Sequence, residues 1–279
     1  MAEISAKNVA ALRKITGAGM MDCKKALEEN SGDVERAKDW LREKGLAGAA
    51  KREGRAADQG AVDVFLDGNV AAVVELNCET DFVAKGDQFK AAVAALAKLV
   101  ATSGADDVAN LSFEGVTVGE HVAQMSATMG EKIELGRIAR FETAGGVLDA
   151  YKHIQSERGV IGVLVEVTGS AGPRAAEVAH DVALHIASAA PRYVRRDEVP
   201  ADDVARERAV FEAQTKEEGK PEQAWPKIID GKLNGYFKTV VLEEQPFVKE
   251  PKQTVGQIVG VLGDGAKIAR FVRIKIGED

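Results

Sequence analysis

The residues best suited to chemistry are few and scattered along this chain. The two cysteines, Cys23 and Cys78, are too far apart for a C-x-x-C redox or zinc motif. His180 and His185 are five positions apart, whereas a helical metal-binding pair needs a spacing of four, so ordinary helix histidines are favoured. The sequence contains neither the phosphate-binding loop G-x-x-x-x-G-K-[ST] nor the nucleophile elbow G-x-S-x-G. We therefore predict no catalytic residue, no metal site and no cofactor.

A glycine-rich turn near the N-terminus, Gly17-Ala18-Gly19-Met20, begins like a dinucleotide-binding fingerprint. It lacks the third glycine of that fingerprint, and it follows a predicted helix rather than a strand. We therefore interpret it as a turn between two helices, for which adjacent glycines are well suited.

The segment 77–85 is the strongest candidate for a binding site. It lies between a predicted strand and a predicted helix, and such turns reach the protein surface. Thr80 or Asp81 could cap the helix through a side-chain oxygen, and Phe82 could fold back onto the core. Residue types alone favour this structural role over an exposed binding tip, and they leave both interpretations open.

Composition excludes several classes of protein. The 279 residues are 45% hydrophobic and 29% charged, as in ordinary globular chains, so disordered and fibrous proteins are excluded. The net charge of −7 argues against direct contact with nucleic acid, which requires clustered lysine and arginine. The low cysteine count favours a reducing compartment, and the sequence shows no signal peptide and no apolar run of ~20 residues. We expect a cytoplasmic protein that contacts no membrane.

Hydrophobic periodicity predicts helices in the first part of the chain and a duplicated unit after it. Helices are predicted at 9–15, 20–29 and 34–45, with Gly45 as the end of the third. The charged, glycine-containing segment 51–55 is a candidate linker. The first copy of the unit contains strands at 62–66 and 70–76, helices at 88–101 and 118–126, and a strand at 132–141.

The same order of elements recurs in the second half. Strands at 146–153 and 160–168, joined by a loop longer than the Asp67-Gly68-Asn69 turn of the first copy, precede a helix at 175–189. The two copies also end alike. Thr117-Val118-Gly119-Glu120 leads to Arg137-Ile138-Ala139-Arg140-Phe141, and Thr254-Val255-Gly256-Gln257 leads to Lys267-Ile268-Ala269-Arg270-Phe271. We predict an α+β fold with two related half-domains, each an antiparallel hairpin with helices.

An insertion at about 200–238 makes the second copy longer. A polar helix at 202–218 is followed by a turn and by a second helix that begins near Pro226 or is kinked there, because proline cannot lie deep inside a straight helix. We predict an antiparallel helical hairpin standing off the second half-domain. It either meets a second subunit or stays solvated.

Several of these segments resemble the bacterial elongation factor Ts family. The resemblance rests on Thr80-Asp81-Phe82-Val83-Ala84 and on the opening motif from Leu12-Arg13 through Thr16-Gly17-Ala18-Gly19-Met20-Met21-Asp22-Cys23-Lys24-Lys25-Ala26-Leu27. Further matches are Gly130-Glu131-Lys132-Ile133, Gly162-Val163-Leu164-Val165 and Gln245-Pro246-Phe247-Val248. The resemblance covers essentially the whole chain. It implies an N-terminal three-helix module of the ubiquitin-associated (UBA-like) type at 1–54, and half-domains at 55–141 and 142–279.

The resemblance also implies a function and its residues. Members of that family are guanine-nucleotide exchange factors for elongation factor Tu, and they are not enzymes in the bond-making sense. The implied exchange wedge is Thr80, Asp81, Phe82 and Val83, with Phe82 inserted into the G domain of the partner. Further implied contacts with that domain and a second domain are Met20, Met21, Gly130, Glu131, Phe247 and Val248. For Met20 and Met21, packing inside the three-helix module is the alternative.

Three expectations stay beside this one. A homodimer or a 2:2 complex through the helical hairpin is possible. A binding adaptor, whose UBA-like module takes a helix or a nascent chain, is the alternative function. Some family members continue into a C-terminal helix that contacts the partner, whereas this sequence stops at Gly277-Glu278-Asp279, so we expect that contact to be absent.

Overall fold

A computed structural model describes residues 4–278, apart from the side chains of residues 46, 47 and 50. The start of the predicted module, residues 1–3, and residue 279 lie outside the described part. The chain begins with three helices, α1 (Ala6–Thr16), α2 (Met20–Glu29) and α3 (Val34–Ala50). Their shared core consists of the buried residues Val9, Leu12, Cys23, Ala26, Leu27 and Ala37.

The first half-domain is a three-stranded antiparallel sheet covered by helices. Its elements are β1 (Gln59–Asp67), β2 (Val70–Cys78), α4 (Asp81–Ala84), α5 (Asp87–Ser103), β3 (Ser112–Phe113), β4 (Val116–Thr117), α6 (Val118–Met129) and β5 (Ile133–Glu142). The strand order is β1-β2-β5, so the last strand pairs with the second strand of the hairpin.

The second half-domain repeats this arrangement and carries the insertion. Its elements are β6 (Val147–Gln155), β7 (Arg158–Thr168), α7 (Pro173–Ala189), α8 (Ala201–Glu217), α9 (Trp225–Val240), β8 (Pro246–Phe247), β9 (Glu250–Thr254), α10 (Val255–Gly260) and β10 (Lys267–Lys275). The strand order is β10-β7-β6, and again the last strand pairs with the second strand of the hairpin. The predicted α+β class with N-terminal helices and antiparallel sheets is confirmed.

The matched sequence endings have a structural cause. Thr117 and Glu120 form a reciprocal capping box at the start of α6, and Thr254 and Gln257 form the same box at the start of α10. In each box the threonine side chain accepts from the third helical backbone N–H, and the Glu or Gln side chain accepts from the threonine N–H. The repeated T-x-x-E/Q therefore starts the equivalent helix in each copy.

The two sheets pack face to face between outer helices. Their common layer consists of Val62, Ala71, Val73, Phe141, Leu148, Leu164 and Ile274. Helices α5 and α6 cover the other face of the first sheet, and α7 and α10 cover the other face of the second. Lys152 of β6 also donates to Asp63 of β1 at 2.7 Å, which joins the sheets by an ion pair.

The predicted long loop between β6 and β7 is wrong. Gln155 pairs directly with Arg158, and only Ser156 and Glu157 lie between the strands. Both turn residues have positive φ, 50° and 67°. Two-residue hairpin turns of this kind usually contain glycine or asparagine, and that signal is missing here.

The predicted end of α3 at Gly45 is also wrong, because the helix continues to Ala50. A Cβ atom added at Gly45 would lie 2.6 Å from the Cβ of Ala127 in α6. This glycine therefore permits close packing of α3 on α6 and does not end the helix. Beyond α3, Arg52 donates to the carbonyl oxygen of Ser126 at 2.8 Å, so the predicted linker is attached to the first half-domain.

The predicted helical hairpin is present as α8 and α9, with Pro226 in the first turn of α9. Val204 and Phe211 of α8 pack against a cluster of buried residues on and beside α9, which are Val199, Ile229, Leu233, Phe237, Val240 and Val241. Among the helices of residues 4–278, none is long and apolar enough to cross a membrane.

Candidate partner-binding site

The turn after β2 holds the four residues of the predicted wedge. Thr80 is in the extended conformation, and its hydroxyl oxygen accepts from the backbone N–H of Val83 at 3.3 Å. This N-cap starts the single helical turn α4. Lys85 donates to Asp81 at 2.5 Å, and this hydrogen bond lowers the pKa of the Asp81 carboxyl group. Asp81 therefore stays ionised at neutral pH.

Phe82 projects from this turn into solvent. Its side chain is 84% exposed, so Phe82 does not fold back onto the core. Its neighbours Val83 and Ala84 attach the turn to the core instead. Ala84 is buried, and Val83 packs against the core beneath α5. Large apolar side chains of monomeric proteins are usually buried, so an aromatic ring this exposed marks a candidate contact surface.

Two glutamates connect the turn that holds Thr80 to Val83, which we call the wedge turn, with the loop after α6. Glu131 accepts from the backbone N–H of Thr80 at 2.9 Å and from the Thr80 hydroxyl at 2.6 Å. Glu79 accepts from the backbone N–H of Lys132 at 2.6 Å and from Arg55 at 3.2 Å. We call this reciprocal pair the glutamate clasp. It fixes the wedge turn to a loop about 50 residues further along the chain, so Phe82 is presented on a preorganised turn.

On the Glu79 side, the clasp holds an ionised carboxylate. The Lys132 N–H and then Arg55 stabilise the Glu79 carboxylate and lower its pKa. Gly130 ends α6 in the left-handed conformation (φ 76°), which turns the chain back toward Thr80. The structure thus brings two predicted segments together, Thr80–Val83 and Gly130-Glu131.

Cys78 lies beneath the same turn. Its thiol donates to the carbonyl oxygen of Thr80 at 3.1 Å, and burial raises its pKa to about 12. A thiol with such a pKa stays protonated at neutral pH and is a poor nucleophile. Cys78 therefore supports the turn.

The N-terminal methionines are at the surface. The turn through Gly17 to Gly19 precedes α2, and at the first two positions of that helix Met20 is 47% and Met21 is 72% exposed. Packing inside the module, the alternative for both residues, is not observed. Methionine adapts its shape to varied partners, so this surface is suited to protein contact.

Phe247 and Val248, the last predicted pair of contact residues, differ in their exposure to solvent. Phe247 is 3% exposed and its ring lies 5.9 Å from that of His185, whereas Val248 is 44% exposed. Only Val248 of this pair presents its side chain to solvent, and Phe247 supports the turn from within. The sequence gives no signal that separates these two adjacent apolar residues.

The histidines have structural partners. His185 is buried against Gln245, and its pKa is lowered by burial. His180 lies 3.2 Å from the Asp149 carboxylate, whose pKa is raised by burial. In the part of the chain that the structure describes, no group of three or more His, Cys, Asp or Glu side chains is placed to hold a metal ion.

Sequence reasoning missed the residues that hold these turns. Glu79 lay in the candidate segment 77–85, directly before the wedge motif, and no role was predicted for it; its only signal was a carboxylate next to an N-cap threonine. Gln245 was part of a family motif without a role, and His185 was interpreted as an ordinary helix histidine. These two lie 60 positions apart, so spacing could not pair them.

Exposed apolar residues on preorganised turns, within an α+β fold, are features of a protein that binds another protein. The sequence model of the family "Elongation factor TS" matches residues 79–278. Elongation factor Ts of Micrococcus luteus is 45% identical over 99% of this chain and 100% of its own length. Elongation factor Ts of Thermobifida fusca is 47% identical over the full length of both chains. That of Streptomyces avermitilis is 48% identical over 99% of this chain and 100% of its own length. The chain belongs to the elongation factor Ts family, which confirms the resemblance seen in its motifs.

Proposed function

We propose that this chain binds GDP-loaded elongation factor Tu and promotes GDP release, as a guanine-nucleotide exchange factor of translation elongation. Membership of the elongation factor Ts family implies this exchange role. The observation that carries the mechanism is Phe82, 84% exposed on a turn fixed by the glutamate clasp. The protein acts in the cytoplasm by binding, without a cofactor and without making or breaking a covalent bond.

In the proposed mechanism, Phe82 inserts between helices of the partner's G domain, beside the ionised Asp81. A rigid aromatic side chain supplies a large contact area at a low cost in conformational entropy. The insertion displaces the elements of the partner that hold Mg²⁺ and the phosphates. Because Mg²⁺ neutralises phosphate charge, this displacement weakens GDP binding without contact with the base.

Thermodynamic linkage limits what Phe82 can do alone. If this chain weakens GDP binding by some factor, GDP weakens binding of this chain by the same factor. Typical coupling energies are ~1–3 kcal/mol, or roughly 5- to 150-fold. Displacing a tightly held nucleotide requires the upper end of this range or more, so further contacts must supply binding energy.

The other surface residues supply these contacts in our proposal. Met20 and Met21 dock the N-terminal module on the G domain, and Val248 contacts a second domain of the partner. Gly130 and Glu131 lie beside the wedge, where Glu131 also holds Thr80. A homodimer or 2:2 complex through α8 and α9 remains a prediction.

Release of labelled GDP from elongation factor Tu tests the exchange function. We expect the first-order release rate to rise with the concentration of this chain and to saturate, because the ternary complex loses GDP faster than the binary one. The measurement is nucleotide fluorescence after addition of excess unlabelled GDP. A release rate that stays at its spontaneous value at every concentration would contradict the proposal.

The alternative function is an adaptor that binds a helix or a nascent chain. The exposed Met20 and Met21 favour it, since they form an apolar surface on a separate module. In this case the half-domains would only display the N-terminal module, and they would have no affinity of their own for elongation factor Tu.

Removal of residues 1–54 separates the two functions. The module has its own core, distinct from the clusters around the two sheets, so we expect the half-domains to fold without it. For an exchange factor, we expect half-maximal GDP release at a roughly 10- to 100-fold higher concentration, equivalent to ~1.4–2.8 kcal/mol of lost contacts. An adaptor would lose all binding. Circular dichroism controls for folding, and the Met20→Ala/Met21→Ala double variant tests the same surface in the full chain.

A further inference from the structure

A buried histidine lies directly under the turn that exposes Val248. His185, on α7, is 1% exposed, and both of its ring nitrogens have a polar neighbour. Nε2 is 2.8 Å from Oε1 of Gln245, and Nδ1 is 3.3 Å from the backbone nitrogen of Val248. The exchange mechanism described above makes no use of this imidazole.

The neighbouring amide determines which nitrogen of His185 carries the proton. Gln245 donates from Nε2 to the carbonyl oxygen of Thr239 at 2.6 Å, and a carbonyl can only accept, so the orientation of this amide is fixed. Its Oε1 atom therefore faces His185 Nε2, and this nitrogen must be the donor. The opposite nitrogen, Nδ1, is then an unprotonated acceptor.

This acceptor faces the main chain of the exposed turn. The N–H group of Val248 donates to Nδ1, so the neutral Nε2–H tautomer has a partner at both nitrogens. An imidazolium ion would place a second donor against the Val248 N–H group and would break this bond. Burial disfavours that charged form as well, which lowers the pKa of His185.

Contacts on both sides of Val248 attach the turn to α7. Before it, the Phe247 ring packs against the His185 ring. After it, Lys249 donates to Asp181 of α7 at 2.5 Å. Between these two attachments Val248 is 44% exposed, while its own N–H group is held by His185.

We propose that His185, as the neutral Nε2–H tautomer fixed by Gln245, is a positioning residue that holds the Val248 turn in its partner-binding conformation. The inference rests on the proposed function, because it takes Val248 as a contact with elongation factor Tu. The Val248 turn is then a second preorganised contact. The His185 imidazole fixes this turn, as the glutamate clasp fixes the turn that carries Phe82.

Two substitutions distinguish positioning from packing. In His185→Asn, the amide oxygen lies where Nδ1 was and can accept a hydrogen bond from the Val248 N–H group. In His185→Gln, the amide nitrogen lies where Nε2 was, so it can donate to Gln245 but cannot accept from Val248. Both remove the ring and its packing on Phe247, so a purely structural role predicts similar effects. We expect His185→Gln to raise the concentration for half-maximal GDP release roughly tenfold, the factor that corresponds to loss of the hydrogen bond that holds the Val248 turn, and His185→Asn, which keeps that bond, by less than ~3-fold. The maximal release rate stays unchanged, because only uniform binding is lost.

The Val248→Ala variant separates failure of this inference from failure of the proposed contact. We expect it to weaken binding by itself and to abolish the difference between His185→Gln and His185→Asn in double variants. If Val248→Ala binds normally, the proposed contact at this turn is wrong. If Val248→Ala weakens binding while the two His185 variants are equal, the positioning role is wrong.

Nitrogen NMR of the unmodified protein provides a test that does not depend on folding of the variants. In the ¹⁵N-histidine spectrum we expect His185 to show a protonated Nε2 and an unprotonated Nδ1. We also expect slow hydrogen exchange at the Val248 amide. An Nδ1–H tautomer, or a Val248 amide that exchanges like a free loop, would overturn the inference.

Discussion

Replacing Phe82 with alanine is expected to lower the efficiency of GDP release from elongation factor Tu by at least ~30-fold, the factor that corresponds to a hot-spot loss of 2 kcal/mol. The side chain is 84% exposed in the free protein, so its removal costs the fold almost nothing. In the proposed complex the same ring is desolvated at the centre of the contact, where truncation is most costly. Stopped-flow release of labelled GDP gives the rate, and thermal unfolding gives the stability.

The matched control is Val261→Ala. Val261 is also apolar and 59% exposed, but it lies at the end of α10 and belongs to none of the predicted contacts. We expect this variant to exchange nucleotide at the unmodified rate. A Phe82→Ala protein with an unchanged melting temperature and an unchanged release rate would exclude the wedge. Equal losses in both variants would point to a non-specific effect of surface apolar groups.

Leu164→Ala is expected to have the largest effect on stability. Leu164, on β7, is fully buried in the layer between the two sheets, so truncation leaves a cavity that neither sheet can fill. Buried Leu→Ala substitutions cost ~2–5 kcal/mol, which for a chain of this size lowers the melting temperature by roughly 5–15 °C. Because this layer joins both half-domains, both should be destabilised. Calorimetry at a fixed scan rate measures the shift.

Leu66→Ala is the control for this prediction. It makes the same chemical change on β1, where the side chain is 40% exposed and adds little to the packing. We expect a shift of less than ~0.5 kcal/mol, as is usual for surface positions. Similar melting temperatures for the two variants would contradict the packing of the two sheets through this layer.

The repeated sequence pattern predicted most of the fold because it is local. Alternating residues identified β1 and β2 around the Gly68 turn, and helical periodicity identified α2 with both of its ends. The endings Thr117 to Glu120 and Thr254 to Gln257 matched because each forms a capping box within four residues. Signals of this kind are contained in the segment itself, so no distant contact is needed to interpret them.

The two wrong predictions, the end of α3 at Gly45 and the long loop between β6 and β7, depend on contacts made by residues outside the positions that were interpreted. Gly45 looks like a helix end, and only its distance of 2.6 Å to Ala127, measured from an added Cβ atom, shows why glycine lies inside α3. The turn at Ser156 and Glu157 contains no glycine, yet both residues take positive φ because the pairing of β6 with β7 requires it. At Gly45 tertiary packing overrides a local preference, and at Ser156 and Glu157 the pairing of the two adjoining strands does so.

The motif of the wedge identified the candidate site, but the sequence did not reveal its geometry. Resemblance selected Thr80 to Val83, while residue types favoured a cap and a ring packed on the core. Thr80 proved to be the cap, and Phe82 proved to be exposed. The structural interpretation was therefore right about the cap and wrong about the ring, and binding at Phe82 stays a prediction.

By itself, the sequence determined the family, the α+β class, the duplication and the position of the wedge motif. Only the tertiary structure decided that Phe82 is exposed, that Glu79 and Glu131 clasp its turn, and that His185 lies under Val248. The physical reason is the separation along the chain between the residues that interact. Helix caps and strand alternation act within a few residues, whereas a carboxylate or imidazole here meets a partner 50 or 60 residues away through the tertiary packing of its own half-domain.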